Sequence, residues 1–274
     1  MSIESKVVLV TGASSGLGRA TADLLAKRGH RVYGTARRPA AGGAPGWTML
    51  PLDVCSDASV AACVAAIRAR EGRIDGLVNN AGHAFVGAVE ETSLEEAKAQ
   101  LETNFFGALR MMLAVLPVMR AQNTGRIVNV SSLAGAAPFP FLGVYGASKH
   151  ALEAISESLD YELIGTAIRV TILQPDGMRT SIGFHHPGTD HPILAAKRRQ
   201  LLARLEDGAH TSGNDPLIFA EEVAHAIESD AAPLRTAIGD MAKLLIEARR
   251  TMPEAAFRRN VAERAQLLPA PGGA

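Results

Sequence analysis

Residues 8–29, VLVTGASSGLGRATADLLAKRG, pass from an apolar β-branched run through glycines 12, 16 and 18 into a helical pattern. Glycine lets the backbone turn sharply and come close to an anion, and a helix start offers free N–H groups at the positive end of its dipole. The stretch therefore reads as a phosphate cradle between a first strand and a first helix. Its spacing is G-x3-G-x-G, not the G-x-G-x-x-G dinucleotide fingerprint, and it lacks the lysine of a triphosphate loop. Taken alone, such a turn also serves as a plain strand-to-helix connection.

Outward from this turn the same alternation recurs. The runs RVYGTA, WTMLPLD, DGLVNN, RIVNVSS and IRVTILQ read as strands, and a further short strand is expected near 235–239. Helices are expected over 16–28, 57–70, between 93 and 122, over 145–164, near 216–229 and in the tail from 240. Such alternation needs crossover connections, so the expected fold class is α/β: a parallel sheet with helices on both faces. The strands are continuously apolar, as two-sided burial requires. Residues 181–215 break the rhythm with a polar loop around a basic, helix-like core, and a loop of that length in a compact domain points to a lid.

The 274 residues are 47% hydrophobic, enough for a large core, and a single domain over 1–274 is expected, with 240–274 as a helical extension. Lys plus Arg and Asp plus Glu both total 28, so the formal charge is zero. No basic run offers a track for nucleic acid. Cys55 and Cys63 match neither a disulfide framework nor a metal spacing and read as thiols of a reducing compartment. The apolar run after Glu4 is too short for a signal peptide, and no apolar stretch is read as approaching 18 residues, so a soluble, cytoplasmic protein without a membrane span is expected. The tail LPAPGGA is expected to fray.

The second strand ends in Arg37 and Arg38, about 20 residues beyond the glycines, where an acidic residue would select the 2′-hydroxyl of NAD and an arginine suits the 2′-phosphate of NADP. NADP(H) is the expected cofactor, with Arg37 as its main contact; two solvated arginines are the plainer alternative. In VYGASKHAL, Tyr145 stands four residues before Lys149. The lysine shares its helix face, and its charge is expected to lower the phenol pKa and make Tyr145 a proton donor and acceptor. Thirteen residues upstream, Ser131 and Ser132 end a strand, where a hydroxyl can donate to a substrate oxygen. Each motif alone has an ordinary structural reading.

Together, TGASSGLG, NNAG at 79–82, Asn104 in TNFFG, SS at 131–132 and YGASK at 145–149 resemble the short-chain dehydrogenase/reductase family, in that family's order over residues 6 to about 180. The resemblance implies a Rossmann-type doubly wound sheet of about seven strands and hydride transfer between a nicotinamide and an alcohol or carbonyl carbon. It assigns the proton donor and acceptor to Tyr145, the ribose-binding partner to Lys149, substrate polarisation to Ser132, whose spacing fits better than that of Ser131, and support of a proton relay to Asn104. It places cofactor contacts at Gly12, Ser14, Ser15, Gly16, Leu17 and Gly18 of the turn. Further contacts are implied at Asp53 and Val54, at Asn80, Ala81 and Gly82, and at Pro175, Gly177, Met178 and Thr180.

One departure stands out in QPDGMRT, residues 174–180, where Asp176 replaces the family's glycine. Either it caps its own turn or its carboxylate faces the cofactor or substrate. The substrate wall is expected from His83, Phe85, Phe139, Phe141 and Met178 as well as the lid, which suits an apolar secondary alcohol or ketone. VYGTARR looks like the branch with steroid and retinol dehydrogenases. His185, His186 and His191 lack a metal-site spacing, and no metal is expected. The alternatives are an NADP-using epimerase or dehydratase and a cofactor-bound regulatory protein. The resemblance further implies a homodimer or homotetramer paired through the helices following residues 93 and 145. The tail, with Leu244, Leu245 and Ala248, is read as an interface or a pocket cover.

Overall fold

The computed structural model describes residues 4–39 and 46–267. The tail LPAPGGA, 268–274, lies outside the described residues. Strands β1 (Val7–Val10), β2 (Arg31–Ala36), β3 (Thr48–Pro51), β4 (Gly76–Asn79), β5 (Ala84–Phe85), β6 (Gly125–Val130), β7 (Ile168–Pro175), β8 (Phe184–His185) and β9 (Arg235–Ile238) alternate with helices. These are α1 (Gly16–Lys27), α2 (Asp57–Glu71), α3 (Leu94–Leu101), α4 (Gly107–Gln122), α5 (Gly143–Glu162), α6 (Ala195–Asp207), α7 (Pro216–Glu228), α8 (Asp240–Thr251) and α9 (Glu254–Arg264).

Seven strands form one parallel sheet in the order β3-β2-β1-β4-β6-β7-β9. The sheet is Rossmann-like, and its order reverses between β1 and β4, which opens a crevice at their carboxyl ends. Strand β1 shows why it reads as one apolar run: Val7 and Leu9 enter one core with Ile67, Met111 and Leu152 of α2, α4 and α5. Val8 and Val10 enter the other with Leu25 of α1 and Phe219 and Val223 of α7. Each such buried side chain contributes about 1.5–3 kcal/mol of transfer free energy.

A second, two-stranded sheet was not expected. Strands β5 and β8 pair in parallel and strap the start of the 181–215 segment to the segment after β4. The segment 181–215 contains α6, the basic core foreseen in the sequence. Buried Arg198 of α6 pairs with buried Glu91 at 3.0 Å, which pins the lid helix to the body. Helices α8 and α9 cover the loop after β6 through Leu245, Phe257 and Val261, packed on Ala137.

The helical run Leu94–Gln122, with an 18-residue window of mean hydropathy 1.2, is long and apolar enough by length and composition to cross a membrane, contrary to the expectation that no stretch would be. Met111, Met112, Val115 and Met119 on it are buried in the core, while Phe106 and Leu113 stay exposed.

Candidate active site

A cavity of about 870 Å³ opens at the carboxyl edge of the sheet, and every strand end singled out in the sequence reaches it except that of β9. At one end lies the glycine turn. Gly12 and Gly16 have φ of +67° and +56°, and a Cβ on Gly12 would meet the Cα of Ala81 at 2.9 Å, so the turn excludes larger residues. The side chain of Ser15, which precedes α1, makes no capping hydrogen bond among the described residues, and no acidic residue occupies the first turn of this helix. Its N-terminal N–H groups therefore face the cavity beside Ser14, Ser15, Gly16 and Leu17, as an anion requires. A dinucleotide fits this cradle. Thr11, which the sequence reading passed over, holds the turn to its neighbour: its hydroxyl accepts from the backbone N–H of Asn80 and of Ala81, each at 2.9 Å. The Asn80 amide donates back to the carbonyl of Thr11 at 2.8 Å.

Arg37, Asp53, Val54, Asn80, Ala81 and Gly82 line the cavity next to this turn. Arg38 does not, because it follows Arg37 on the exposed strand end. Gly18 does not line it either; it packs behind the turn, where a Cβ would strike the carbonyl oxygen of Gly12.

At the centre stand Ser132, Tyr145 and Lys149. Lys149 is buried on α5, and its Nζ donates to the carbonyl of Val130 at 2.7 Å while lying 5.9 Å from the Tyr145 ring centroid. Burial pushes its pKa down to about 8, and the charge of Glu153 opposes that shift. Burial raises the pKa of Tyr145, and its hydrogen bond with Ser132 works the other way. The expected lowering by Lys149 is thus corrected: desolvation of the phenol dominates. Beneath the lysine, buried Glu153 accepts from Ser131 Oγ at 2.6 Å and from Gln174 Nε2 at 2.9 Å, and it pairs with Arg235. Ser131 is therefore spoken for, and Ser132 is the serine beside the tyrosine.

Asn104 lies in a π-helical turn, Glu102–Phe106, and is buried away from the cavity lining. Its Nδ2 donates to the carbonyl of His83 at 3.0 Å and its Oδ1 accepts from the His83 N–H at 3.1 Å. It thereby fixes the residue that follows NNAG. His83 lines the cavity with a pKa pushed down to about 4, chiefly by burial, and its ring meets that of lid residue His185 edge-on at 4.6 Å.

Of the expected substrate residues, Phe139 and Met178 line the cavity, and Phe85 and Phe141 do not. Phe85 is buried in the β5 strap, and Phe141 occupies a left-handed turn, φ +62°, whose carbonyl accepts from Gly87. Their places are taken by residues from later in the chain: Leu205 and Ala209 of the lid, Met241 and Leu245 of α8, and Arg264 at the end of α9. The 181–215 segment was expected to wall the substrate; of the tail residues singled out in the sequence, Leu245 lines the cavity and Leu244 and Ala248 do not.

Pro175, Gly177, Met178 and Thr180 line the cavity beside Asp176. One oxygen of Asp176 accepts from Asn214 Nδ2 at 2.7 Å, and the other accepts from the N–H groups of Met241 and Ala242 at 2.9 and 3.1 Å. It caps α8 across Gly239, whose φ of +94° leaves no room for a side chain against that carboxylate. The backbone is capped by it far along the chain instead of at its own turn.

Comparison with known proteins agrees with this fold. The family profile described as short chain dehydrogenase matches residues 6–185. The chain is 35% identical over 248 residues to a 3-ketodihydrosphingosine reductase of Bacteroides thetaiotaomicron, covering 89% of this chain and 91% of the relative. It is 36% identical over 257 residues to human retinol dehydrogenase 8, covering 86% and 82%. A short-chain dehydrogenase structure from Streptomyces avermitilis superposes with a TM-score of 0.83 at 34% identity, covering 97% and 98%. Neighbours solved with cofactor include one from Burkholderia cenocepacia with NADP (TM-score 0.76, 26% identity, 98% and 100% covered) and one from Burkholderia phymatum with NAD (0.79, 24%, 91% and 94%), the latter alike in fold.

Proposed function

The chain belongs to the short-chain dehydrogenase/reductase family, a family of oxidoreductases, and from that premise we propose that it interconverts a fairly apolar secondary alcohol and its ketone using NADP(H). The observation that carries this reading is the meeting of Ser132, Tyr145 and Lys149 in one cavity whose other end is an uncapped helix N-terminus with Arg37 beside it. When bound, the cofactor supplies the hydride donor or acceptor at its nicotinamide ring.

The chain's own residues do the rest. The glycine turn and α1 bind the pyrophosphate, Arg37 reads the 2′-phosphate, and Asp53 and Val54 border the adenine. Lys149 holds the nicotinamide ribose. Ser132 donates to the substrate oxygen, and Tyr145 gives that oxygen a proton in reduction or takes one from it in oxidation. Phe139, Leu142, Met178, Leu205 and Leu245 offer an apolar wall to the substrate body. The same reading has the protein act in the cytoplasm as a homo-oligomer, with the exposed apolar side chains of α4 and the end of α5 as the pairing face.

The test is NADPH and NADH oxidation by purified protein over apolar ketones, with Tyr145→Phe and Arg37→Asp beside it. Turnover favours NADPH, falls roughly 10²–10⁴-fold in Tyr145→Phe, and loses its NADPH preference in Arg37→Asp. Equal use of NADH by the unaltered protein overturns the cofactor assignment. Tight NADPH binding without turnover of any ketone overturns the reaction.

A further inference from the structure

The substrate half of the cavity ends on an arginine. Arg264, exposed at the end of α9, lines the cavity with Met241 and Leu245 of α8 and Leu205 of the lid helix. Buried Arg198 ends on Glu91 and Asp190, and half-buried Arg235 and Arg110 end on Glu153 and Glu157 and on Asp57 and Glu102; of the cavity-lining arginines, Arg37 at the cofactor end has no such pair either among the described residues. Arg264 instead donates from Nε to Asn260 Oδ1 at 2.8 Å and from Nη1 to Met241 Sδ at 3.5 Å, both neutral. No carboxylate pairs with it among the described residues.

A second arginine, Arg204, lies beside Arg264 without itself lining the cavity. Arg204 of α6, one position before the cavity-lining Leu205, reaches the backbone carbonyl of Arg264 with Nη1 at 3.5 Å. Its Nε is buried without a hydrogen-bond partner, and it too has no carboxylate pair among the described residues. Arg264 thus brings a cation with no carboxylate to the apolar wall of Met241, Leu245 and Leu205, with a second such cation beside its backbone, and an anion in the cavity would offset that charge. The carboxylate on this side of the cavity, Asp176, cannot serve, because both its oxygens are committed to Asn214 and to the start of α8.

We propose that Arg204 and Arg264 form the recognition site for a carboxylate at the far end of the substrate, so that the substrate class is an apolar keto acid or hydroxy acid. This rests on the oxidoreductase reading for the reacting end, but the anion site stands on its own geometry. The guanidinium fork matches a carboxylate's two oxygens. Leu205 and Leu245 would flank the intervening carbon chain.

The experiment compares keto acids differing in the number of carbons between ketone and carboxylate, each with its methyl ester, using NADPH, for the unaltered protein and for Arg204→Gln/Arg264→Gln. The readout is the acid-to-ester ratio of kcat/KM within each protein, which cancels general damage. The best acid is expected to exceed its ester by about tenfold, through KM. The preference should fall toward one in the double variant and weaken with added salt, because Arg264 is exposed. A ratio of one across the panel in the unaltered protein, or a preference that survives the double variant, overturns the proposal. Decanoate and methyl decanoate, followed by thermal shift, separate the two readings. Stabilisation by decanoate alone, lost in the double variant, upholds the anion site even where no ketone turns over and the oxidoreductase reading fails. Equal effects of acid and ester sink the anion site whatever the enzyme reduces.

Discussion

Tyr145 and Lys149 occupy neighbouring turns of α5, yet the same burial moves them in opposite directions. The phenol is raised and stays protonated, while the ammonium is pushed down to about 8 from an ordinary 10.5. In ketone reduction the protonated phenol is the required form, so the first proton lost on the way to alkaline pH is the lysine's. The expected alkaline limb of kcat/KM for reduction therefore falls near pH 8 and not above 10. Glu153 raises the lysine pKa, so Glu153→Gln should move the limb to lower pH; a limb that stays put would detach it from Lys149. The same shift has a sign for stability. Between about pH 8 and 10.5 the unfolded chain holds a proton that folded Lys149 has released, so this site's contribution rises with pH there. The spacing of tyrosine and lysine was legible in the sequence, but the direction of the phenol's shift was not. Desolvation depends on what packs on α5, and those elements, the turn after β6, α3, the 102–106 turn and β7, are brought there by the fold from separate parts of the chain.

The C-terminal element shows how one residue couples three segments. Asp176 ends β7, Asn214 closes the lid, and Met241 and Ala242 begin α8; all meet on one carboxylate. Removing it in Asp176→Gly, which restores the family's usual residue, takes away a helix cap and the lid clamp together. A cap alone is worth about 0.5–2 kcal/mol, so a comparable loss in chemical denaturation is expected, with KM for ketone rising as the α8 wall loosens. The relative affinity for NADP+ and NADPH should stay the same, since the carboxylate spends its acceptors on protein donors; a changed ratio would return Asp176 to the cofactor. The large-sheet strands were legible because two-sided burial writes itself as apolar runs, and Val7 to Val10 divide between both cores. The strap of β5 and β8 was not: each is two residues long, and they pair across about a hundred positions of chain. Nor was the cap on α8, because Asp176 and Gly239 become neighbours only when β7 and β9 pair.

For the molecule as a whole, the helical layer formed by α2, α4 and α5 carries apolar side chains that the sheet does not bury. Met111, Met112, Val115 and Met119 face inward, while Leu113 is 60% exposed on α4 and Tyr161 is 61% exposed near the end of α5. Phe106 and Ile164 extend the same exposed set at the start of α4 and just past α5. Scattered exposed apolar residues are ordinary, but this set lies on the helices through which the resemblance pairs subunits. Burying one leucine is worth about 1.5–3 kcal/mol, so a charge at its centre should be decisive for a symmetric interface that meets it twice. Sedimentation is expected to give a multiple of the 28.8 kDa chain, and Leu113→Arg should shift it toward 28.8 kDa. NADPH binding should survive that change, because the cradle is built from β1, α1 and β4 and takes nothing from the outer face of α4. A 28.8 kDa species in the unaltered protein would show that the exposed face is not an interface between copies, and the same substitution would then leave sedimentation as it was.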